Sequence, residues 1–353
     1  MTILRSVGAV ALFMLGTSGV ARGIETSEQA AAPLLFDLSV VAEGLKQPDG
    51  LALHPVTHEL YVSEESANRI SVIRNGRAVP VLQRGFRVRD ELPEWAVSAD
   101  RPKSSLLSDE LHSPEGIGFD AAGRLYVLED TPRGRVLEFS PDATGAFQEA
   151  ALVPVPWLGD PYAWESITLG RDGQIYLAGS AFEAGAGSSC VLARNGDREW
   201  WVVDIGSFAS FSSLALAPEE DVLITGDEAL GALTWWDTRR QRELDTVVRQ
   251  LGGSIEGLCL LPDGSLAVAQ ENVAGEPGTP SHGRVVRVDP LSGEVAVLAD
   301  RLGTLESVIC DERTGALYVT EDSTGRVLCL TPRQPYGPRL RLLQVARRGG
   351  EAR

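Results

Sequence analysis

The sequence predicts an all-β fold: a six-bladed β-propeller of four-stranded antiparallel blades, closed by an N-terminal strand that joins the last blade. Three observations carry that expectation. A short, mostly acidic motif recurs six times, each copy opens a pair of β-rich runs, and the spacing between copies suits about four short strands. The copies are Pro48-Asp49-Gly50, Pro114-Glu115-Gly116, Trp164-Glu165-Ser166, Phe211-Ser212-Ser213, Ile255-Glu256-Gly257 and Leu305-Glu306-Ser307. Their separation ranges from 44 residues (Ser212 to Glu256) to 66 (Asp49 to Glu115).

Within a copy, the motif opens the first strand and a turn such as Ala122-Gly123, Asp172-Gly173, Asp263-Gly264 or Thr314-Gly315 follows. The second strand is then Leu60-Tyr61-Val62, Leu125-Tyr126-Val127, Ile175-Tyr176-Leu177 or Leu317-Tyr318-Val319. A turn pair between two such runs is a hairpin signal. Third strands start at Arg69, Arg135, Arg284 and Arg326, and fourth strands include Val79 to Leu82 and Val295 to Leu298. Leu35 to Ala42 precedes the first motif as a fourth strand would, so it is expected to close the ring and remove an exposed sheet edge. The propeller is assigned to residues 35–332. Residues 333–353 are assigned to a C-terminal extension, whose tail from Pro338 to Arg353 is read as an extra edge strand or a frayed end.

At the other end, Arg5, the apolar run from Val7 to Leu15 and the small residues around Ala21-Arg22-Gly23 have the pattern of a cleaved export signal over residues 1–23. A polar leader over 24–34 follows, and the expected address is periplasmic or extracellular. No other segment approaches the roughly 18 apolar residues a membrane span needs. The net charge of −17 makes nucleic acid and anionic membranes poor partners and cations natural ones. Cys190, Cys259, Cys310 and Cys329 lack the close spacing of a zinc site. They are read as small buried hydrophobes, with a single cross-strand or inter-blade bridge as the alternative.

First strands line the channel of a propeller, so the six motif positions converge at one mouth. Five of them are carboxylates: Asp49, Glu115, Glu165, Glu256 and Glu306; the sixth is Ser212, which marks a possible side of entry for a substrate or partner. Like charges repel by about 4 kcal/mol per pair at about 4 Å in an effective dielectric of about 20. The ring therefore calls for a bound cation, for protonation, or for arginine partners. A divalent ion, above all Ca²⁺, matches the all-oxygen donor set; the alternative is that the carboxylates bond the amides of neighbouring strands and hold the blades together.

His112 and His282 fall near this face as candidate general bases or ligands. Glu64, Glu129 and Glu321 each precede an arginine at the head of a third strand (Arg69, Arg135, Arg326), a pattern read as an ionic brace inside each blade; Asp130 and Asp322, next to them, are open to a role at the mouth. Segments 85–112, 179–189 and 271–283 are long links on the same face, and at least one of them is expected to supply a lid or pocket wall. Trp157, Tyr162, Trp164, Phe182 and Phe211 are candidates for an apolar wall, with packing between blades as the alternative.

The residues Pro48-Asp49-Gly50-Leu51-Ala52-Leu53 with Leu60-Tyr61-Val62, and Pro114-Glu115-Gly116 with Leu125-Tyr126-Val127 and Gly134-Arg135-Val136, give the chain a further likeness. It resembles the calcium-dependent propellers of the gluconolactonase and senescence-marker-protein family, and more distantly paraoxonases, strictosidine-synthase-like proteins and NHL-repeat propellers. The resemblance implies a metal-dependent hydrolase acting on a lactone or ester, with one divalent ion held at the starts of first strands. Carried over by position, the ligand candidates are Asp49, Glu115, Glu165, Glu256 and Glu306, and the catalytic candidates are Glu115, Glu256 and His112. This ring has no Asn, unlike the family's pattern. Two alternatives stand beside the hydrolase: an NHL-like propeller that binds a peptide, glycan or protein without catalysis, and a strictosidine-synthase-like condensing enzyme using one ring Glu as base.

Overall fold

Each motif copy begins a β-strand, and the runs that follow pair with it in sequence to build one four-stranded antiparallel sheet per copy. The computed structural model describes residues 35–337 apart from 92–96, 98–101, 132–133, 156–161, 171–172, 182–187, 196–199, 208–210, 220–221, 240–241, 249–250, 275–279 and 291. The expected export signal and leader lie outside the described residues, as do Trp157 and Phe182.

The first blade contains β2 (Pro48–Leu53), β3 (Leu60–Glu64), β4 (Arg69–Arg74) and β5 (Arg77–Leu82). The second contains β7 (Pro114–Phe119), β8 (Leu125–Glu129), β9 (Val136–Phe139) and β10 (Glu149–Leu152), with the short β6 (Arg87–Val88) added in parallel at its outer edge. The third is β11 (Tyr162–Leu169) to β14 (Trp201–Ser207), through β12 (Gln174–Ala181) and β13 (Ser188–Asn195). The fourth is β15 (Phe211–Leu216), β16 (Val222–Asp227), β17 (Ala232–Asp237) and β18 (Arg242–Val248). The fifth is β19 (Ser254–Leu260), β20 (Leu266–Val273), β21 (His282–Val288) and β22 (Val295–Leu302). The sixth is β23 (Leu305–Asp311), β24 (Ala316–Glu321) and β25 (Arg326–Pro332), completed by β1 (Phe36–Glu43) from the start of the chain. Phe36 pairs with Pro332 and Glu43 with Arg326, so the ring closes by an antiparallel strand from the other end of the sequence.

The hairpin turns depend on left-handed backbone at the expected glycines: Gly123, Gly173, Gly264 and Gly315 have φ of 81°, 74°, 86° and 73°. A side chain there would be strained, which is why glycine occupies these positions.

Buried apolar residues are distributed between the blades. One cluster joins Ile70 and Val72 of the first blade to Val127 and Leu137 of the second. Another joins Leu177 of the third to Leu128 and Val136 of the second, and Ile224 and Trp235 of the fourth pack on Ile255 and Val268 of the fifth. The closing interface sets Ala42 and Val327 against Leu51 and Val62. Burial of these faces holds neighbouring blades together, since each sheet has no apolar partner of its own.

In its described part the link from 85 to 112 packs on the second blade and walls a cleft apart from the ring cavity. Leu106, in the single-turn α1 (Lys103–Leu106), and Leu111 are buried against the second blade with Phe86 and Val88. The four cysteines are free, and burial pushes the Cys259 thiol well above its ordinary value and Cys310 up to about 12. Both behave as small core residues.

The acid–arginine brace is present in the blades where the sequence places it. Arg69 donates to Glu64 through Nε at 2.7 Å and Nη2 at 2.7 Å, and Arg326 donates to Glu321 through Nε at 2.7 Å. Arg135 and Glu129 form the most enclosed pair, at 2% and 1% exposure. Arg135 also donates to the carbonyl oxygens of Ser108 and Glu110, which fastens the 85–112 link to the second blade. Removing one member of a buried pair strands the other charge. Arg135→Met is therefore expected to cost about 3–5 kcal/mol of stability, read by urea unfolding; a loss under about 1 kcal/mol would show that the brace contributes little.

Candidate functional site

The motif residues reach the channel through one repeated irregularity. In each of the six first strands the pairing with the second strand slips across the motif position: between Pro48 and Leu51, Pro114 and Ile117, Trp164 and Ser166, Phe211 and Ser213, Ile255 and Gly257, and Leu305 and Val308. Each first strand has one residue more than its partner there, which is a β-bulge, and a bulge re-aims the side chain it carries. Asp49, Glu115, Glu165, Ser212, Glu256 and Glu306 accordingly all line one cavity of about 200 Å³, together with Glu228.

Bulged backbones must approach each other closely at the channel. A methyl group on Gly50 would run into the carbonyl oxygen of Glu115, one on Gly116 into that of Glu165, and one on Gly257 into the backbone of Glu306 to Val308. Hydroxyls then tie the blades. Ser63 donates to Glu115 O at 2.6 Å, Thr320 to Asp49 O at 2.7 Å, and Ser212 to Ile255 O. Leu214 N donates to Ser166 Oγ at 3.2 Å. Among the described residues, the stitching expected of the ring carboxylates is thus carried by hydroxyls and carbonyls, and Ser212 is one of the stitches.

The acids themselves are left crowded. Burial is the largest influence on all five, and the charged groups that act on them are further carboxylates. Burial, then Glu65 and Asp322, pushes Asp49 up to about 8. Glu165 rises to about 8 through burial and Glu228, and Glu256 to about 9 through burial, Glu228 and Glu271. Glu306 rises to about 10 through burial, Asp49 and Glu256. Glu115 is held well above the ordinary range by burial, Asp49 and Glu165. Glu115 Oε2 and Glu256 Oε1 are shut away from solvent with no hydrogen-bond partner. These two residues sit in the second and fifth blades, on opposite sides of a six-membered ring.

That donor set suits a hard cation: anionic oxygens only, two of them orphaned, with no basic group among the described residues pairing with the five. Among the described residues, no three His, Cys, Asp or Glu side chains gather round one point.

Other expected participants lie elsewhere. His112 is exposed, bonds Ser108 Oγ at 3.2 Å, and lines a separate cleft with Thr131 and Arg135. His282 bonds Asp300 Oδ1 at 2.9 Å on the outer strands of the fifth blade. Trp164 and Phe211 are buried between blades and supply no wall to the ring cavity; the Tyr162 side chain lies outside the described residues.

Sequence reasoning missed Glu65, Glu228 and Glu271. Each directly follows the second-strand residue paired with, or just before, the bulge: Glu64, Asp227 and Gln270. Asp130 and Asp322 hold the same place after Glu129 and Glu321. The signal was a run of adjacent polar pairs at equivalent positions, legible once the register is known.

Each ring acid holds its proton more tightly in the folded chain than in the unfolded one, whose values are 3.8 for Asp and 4.5 for Glu. The ring's contribution to stability is thus fully present below those values and is lost as pH rises through 8 to 10. With chelator present, the Tm is expected to fall between pH 5 and pH 9 and to be restored by millimolar Ca²⁺; a Tm indifferent to both would remove the case for a cation. Gly116→Ala is expected to cost about 1–3 kcal/mol by forcing the second and third blades apart, measured by thermal unfolding.

Solved structures share this architecture at low sequence identity. A gluconolactonase from Xanthomonas campestris matches with a TM-score of 0.63 at 16% identity, over 86% of this chain and 99% of that one. A luciferin-regenerating enzyme matches at 0.59 and 13%, over 87% of this chain and 100% of that one. Regucalcin from Agrobacterium tumefaciens, described as a calcium-binding protein, matches at 0.59 and 12%, over 87% and 98%. No protein-family model matches the sequence, and no curated protein sequence does. The chain has the six-bladed propeller fold seen in gluconolactonase and regucalcin structures.

Proposed function

We propose that the channel mouth is the active site of an exported hydrolase that cleaves a lactone or ester with the help of a divalent cation. The observation that carries this reading is the convergence of five carboxylates on one cavity, with orphaned, water-excluded oxygens on Glu115 and Glu256. The fold's occurrence in a gluconolactonase and in a calcium-binding protein supports it.

Asp49, Glu115, Glu165, Glu256 and Glu306, which line the cavity, would hold the ion. When bound, it supplies Lewis acidity to the acyl carbonyl and lowers the pKa of water. The rest of the work falls to the chain. Glu115 and Glu256 belong to opposite blades and line the same cavity, so one can bind while the other takes a proton from the attacking water. Burial raises the proton affinity of both, and a bound cation would oppose that shift and keep the acting carboxylate ionised as a base. Gly50, Gly116 and Gly257 hold the bulged backbones close, which fixes the carboxylates and limits the cavity to a small substrate.

Glu115→Gln and Glu256→Gln are each expected to lower kcat by about 100-fold or more on a responsive substrate. His112→Ala, in its separate cleft, is expected to leave kcat within about twofold. The assay is a panel of sugar lactones, acyl lactones and aryl esters with Ca²⁺, Mg²⁺, Mn²⁺ or Zn²⁺ added after chelation. No turnover with any ion would overturn the hydrolase reading.

A further inference from the structure

Two thiols take no part in the mouth, and strand register brings them together between the fifth and sixth blades. These blades touch where Gly257 lies against the sixth: a methyl group on Gly257 would stand 2.6 Å from Val308 N. Both first strands start at the mouth, so they run the same way from this contact. Two residues further on, and hence on the same face of each strand, stand Cys259 and Cys310. The cross-strand partners agree. Gly257 and Cys259 pair with Ala269 and Ala267, and Val308 and Cys310 pair with Val319 and Leu317. All four partners belong to the apolar cluster that joins the fifth blade to the sixth, and both cysteines pack against it. Each thiol is therefore turned from its own blade toward the other.

The two thiols also act on each other and on one neighbour. Burial, then charge on Cys310, pushes Cys259 well above its ordinary value. Both cysteines raise the Tyr336 hydroxyl, which donates to Gly315 O at 2.8 Å and so borders the pair from the chain that follows β25. The other cysteines face elsewhere. Cys190 is buried between the second and third blades, and Cys329 is the strand partner of Tyr318, which packs toward the first blade. Cys259 and Cys310 keep some exposure, whereas Cys190 and Cys329 are buried.

We propose that Cys259 and Cys310 are the site of an inter-blade disulfide, made by exchange with a disulfide donor as the chain folds, and that it is a structural bond and not a reversible switch. The step balances without a further reactant. One cysteine thiolate attacks the donor's S–S bond and forms a mixed disulfide, expelling one donor thiolate; the second cysteine thiolate attacks the protein sulfur of that bond and expels the other. Two protein thiols are oxidised by two electrons, the donor disulfide is reduced to two thiols, and the two protons pass to them. In the unfolded chain both thiols have the ordinary value of 9.0, so exchange belongs to that stage. In the folded chain burial holds Cys310 up to about 12 and Cys259 well above its ordinary value. A reduced pair then gains nothing from ionisation, and a thiol of high pKa is a poor leaving group, so the finished bond resists reduction. It ties the strands that carry Glu256 and Glu306, three and four residues nearer the mouth. The inference is independent of the hydrolytic reading above.

The test synthesises the full chain in a cell-free reaction, one batch in a buffer of reduced and oxidised glutathione and one in dithiothreitol. Free thiols are blocked with N-ethylmaleimide after unfolding in acid, and the peptides are read by mass spectrometry. The glutathione batch is expected to show Cys190 and Cys329 blocked and the Cys259 and Cys310 peptides linked, with a Tm at least about 4 °C above the dithiothreitol batch. Cys310→Ala is expected to remove both the link and the Tm difference; should that variant not fold, the peptide map of the unaltered chain decides. Four blocked thiols, glutathione adducts without a link, or a bond that involves Cys190 or Cys329 overturns the proposal. A link that millimolar reduced glutathione opens in the folded protein overturns its structural character.

Discussion

One additional residue in each first strand sets the rest of this molecule. Regular pairing would alternate side chains between the blade faces; the bulge breaks that alternation at the same place six times. The result is a set of side chains turned to the axis and a set of backbones brought within touching distance. Glycine at positions 50, 116 and 257 answers the second requirement, and Ser63, Thr320 and Ser212 convert the approach into hydrogen bonds. Structural cohesion at the axis is therefore a backbone and hydroxyl affair, which leaves the acids available for chemistry.

Acidic residues in this chain are sorted by whether the fold gives them a cation. Those that enter a blade meet arginine, and burial of Glu129 with Arg135 shows how completely such a pair can be enclosed. Those that face the channel raise each other's proton affinity. Two chemically identical residues adjacent in sequence, Glu64 and Glu65, are held below and above the ordinary carboxylate value respectively, by Arg69 in one case and by burial with Asp130 in the other. Environment, and not residue type, separates structural acids from those that need a ligand.

Much of the architecture was legible because its determinants are local and repeated. The six motif copies, the turn glycines and the strand runs each report the same period, and the expected closing strand pairs with β25. The ring positions were legible for the same reason. What escaped depended on register or on the third dimension. Gln270 performs the brace in the fifth blade without a charge, so the acid–arginine pattern could not reveal it. Trp164 and Phe211 had no periodic signal to say which way they face, and both went into the interfaces between blades. His112 is three residues from Glu115 in sequence, yet the turn at Ser113, with φ of 41°, separates them into different cavities.

The closing strand has an implication for when the site comes into being. Thr320 reaches the carbonyl of Asp49 across 271 residues of sequence, and β1 completes a blade whose other strands are the last to be made. Until the ring closes, the sixth blade has an open edge at β25 and Asp49 has no Glu306 beside it. Contacts so distant in the chain form late, since loop closure must precede them. The part of the mouth's electrostatic tension that sets Asp49 against Glu306 and Asp322 is thus a property of the completed circle. A growing chain meets its acids neighbour by neighbour as blades pack, and meets their combined field only at the step that makes it a ring.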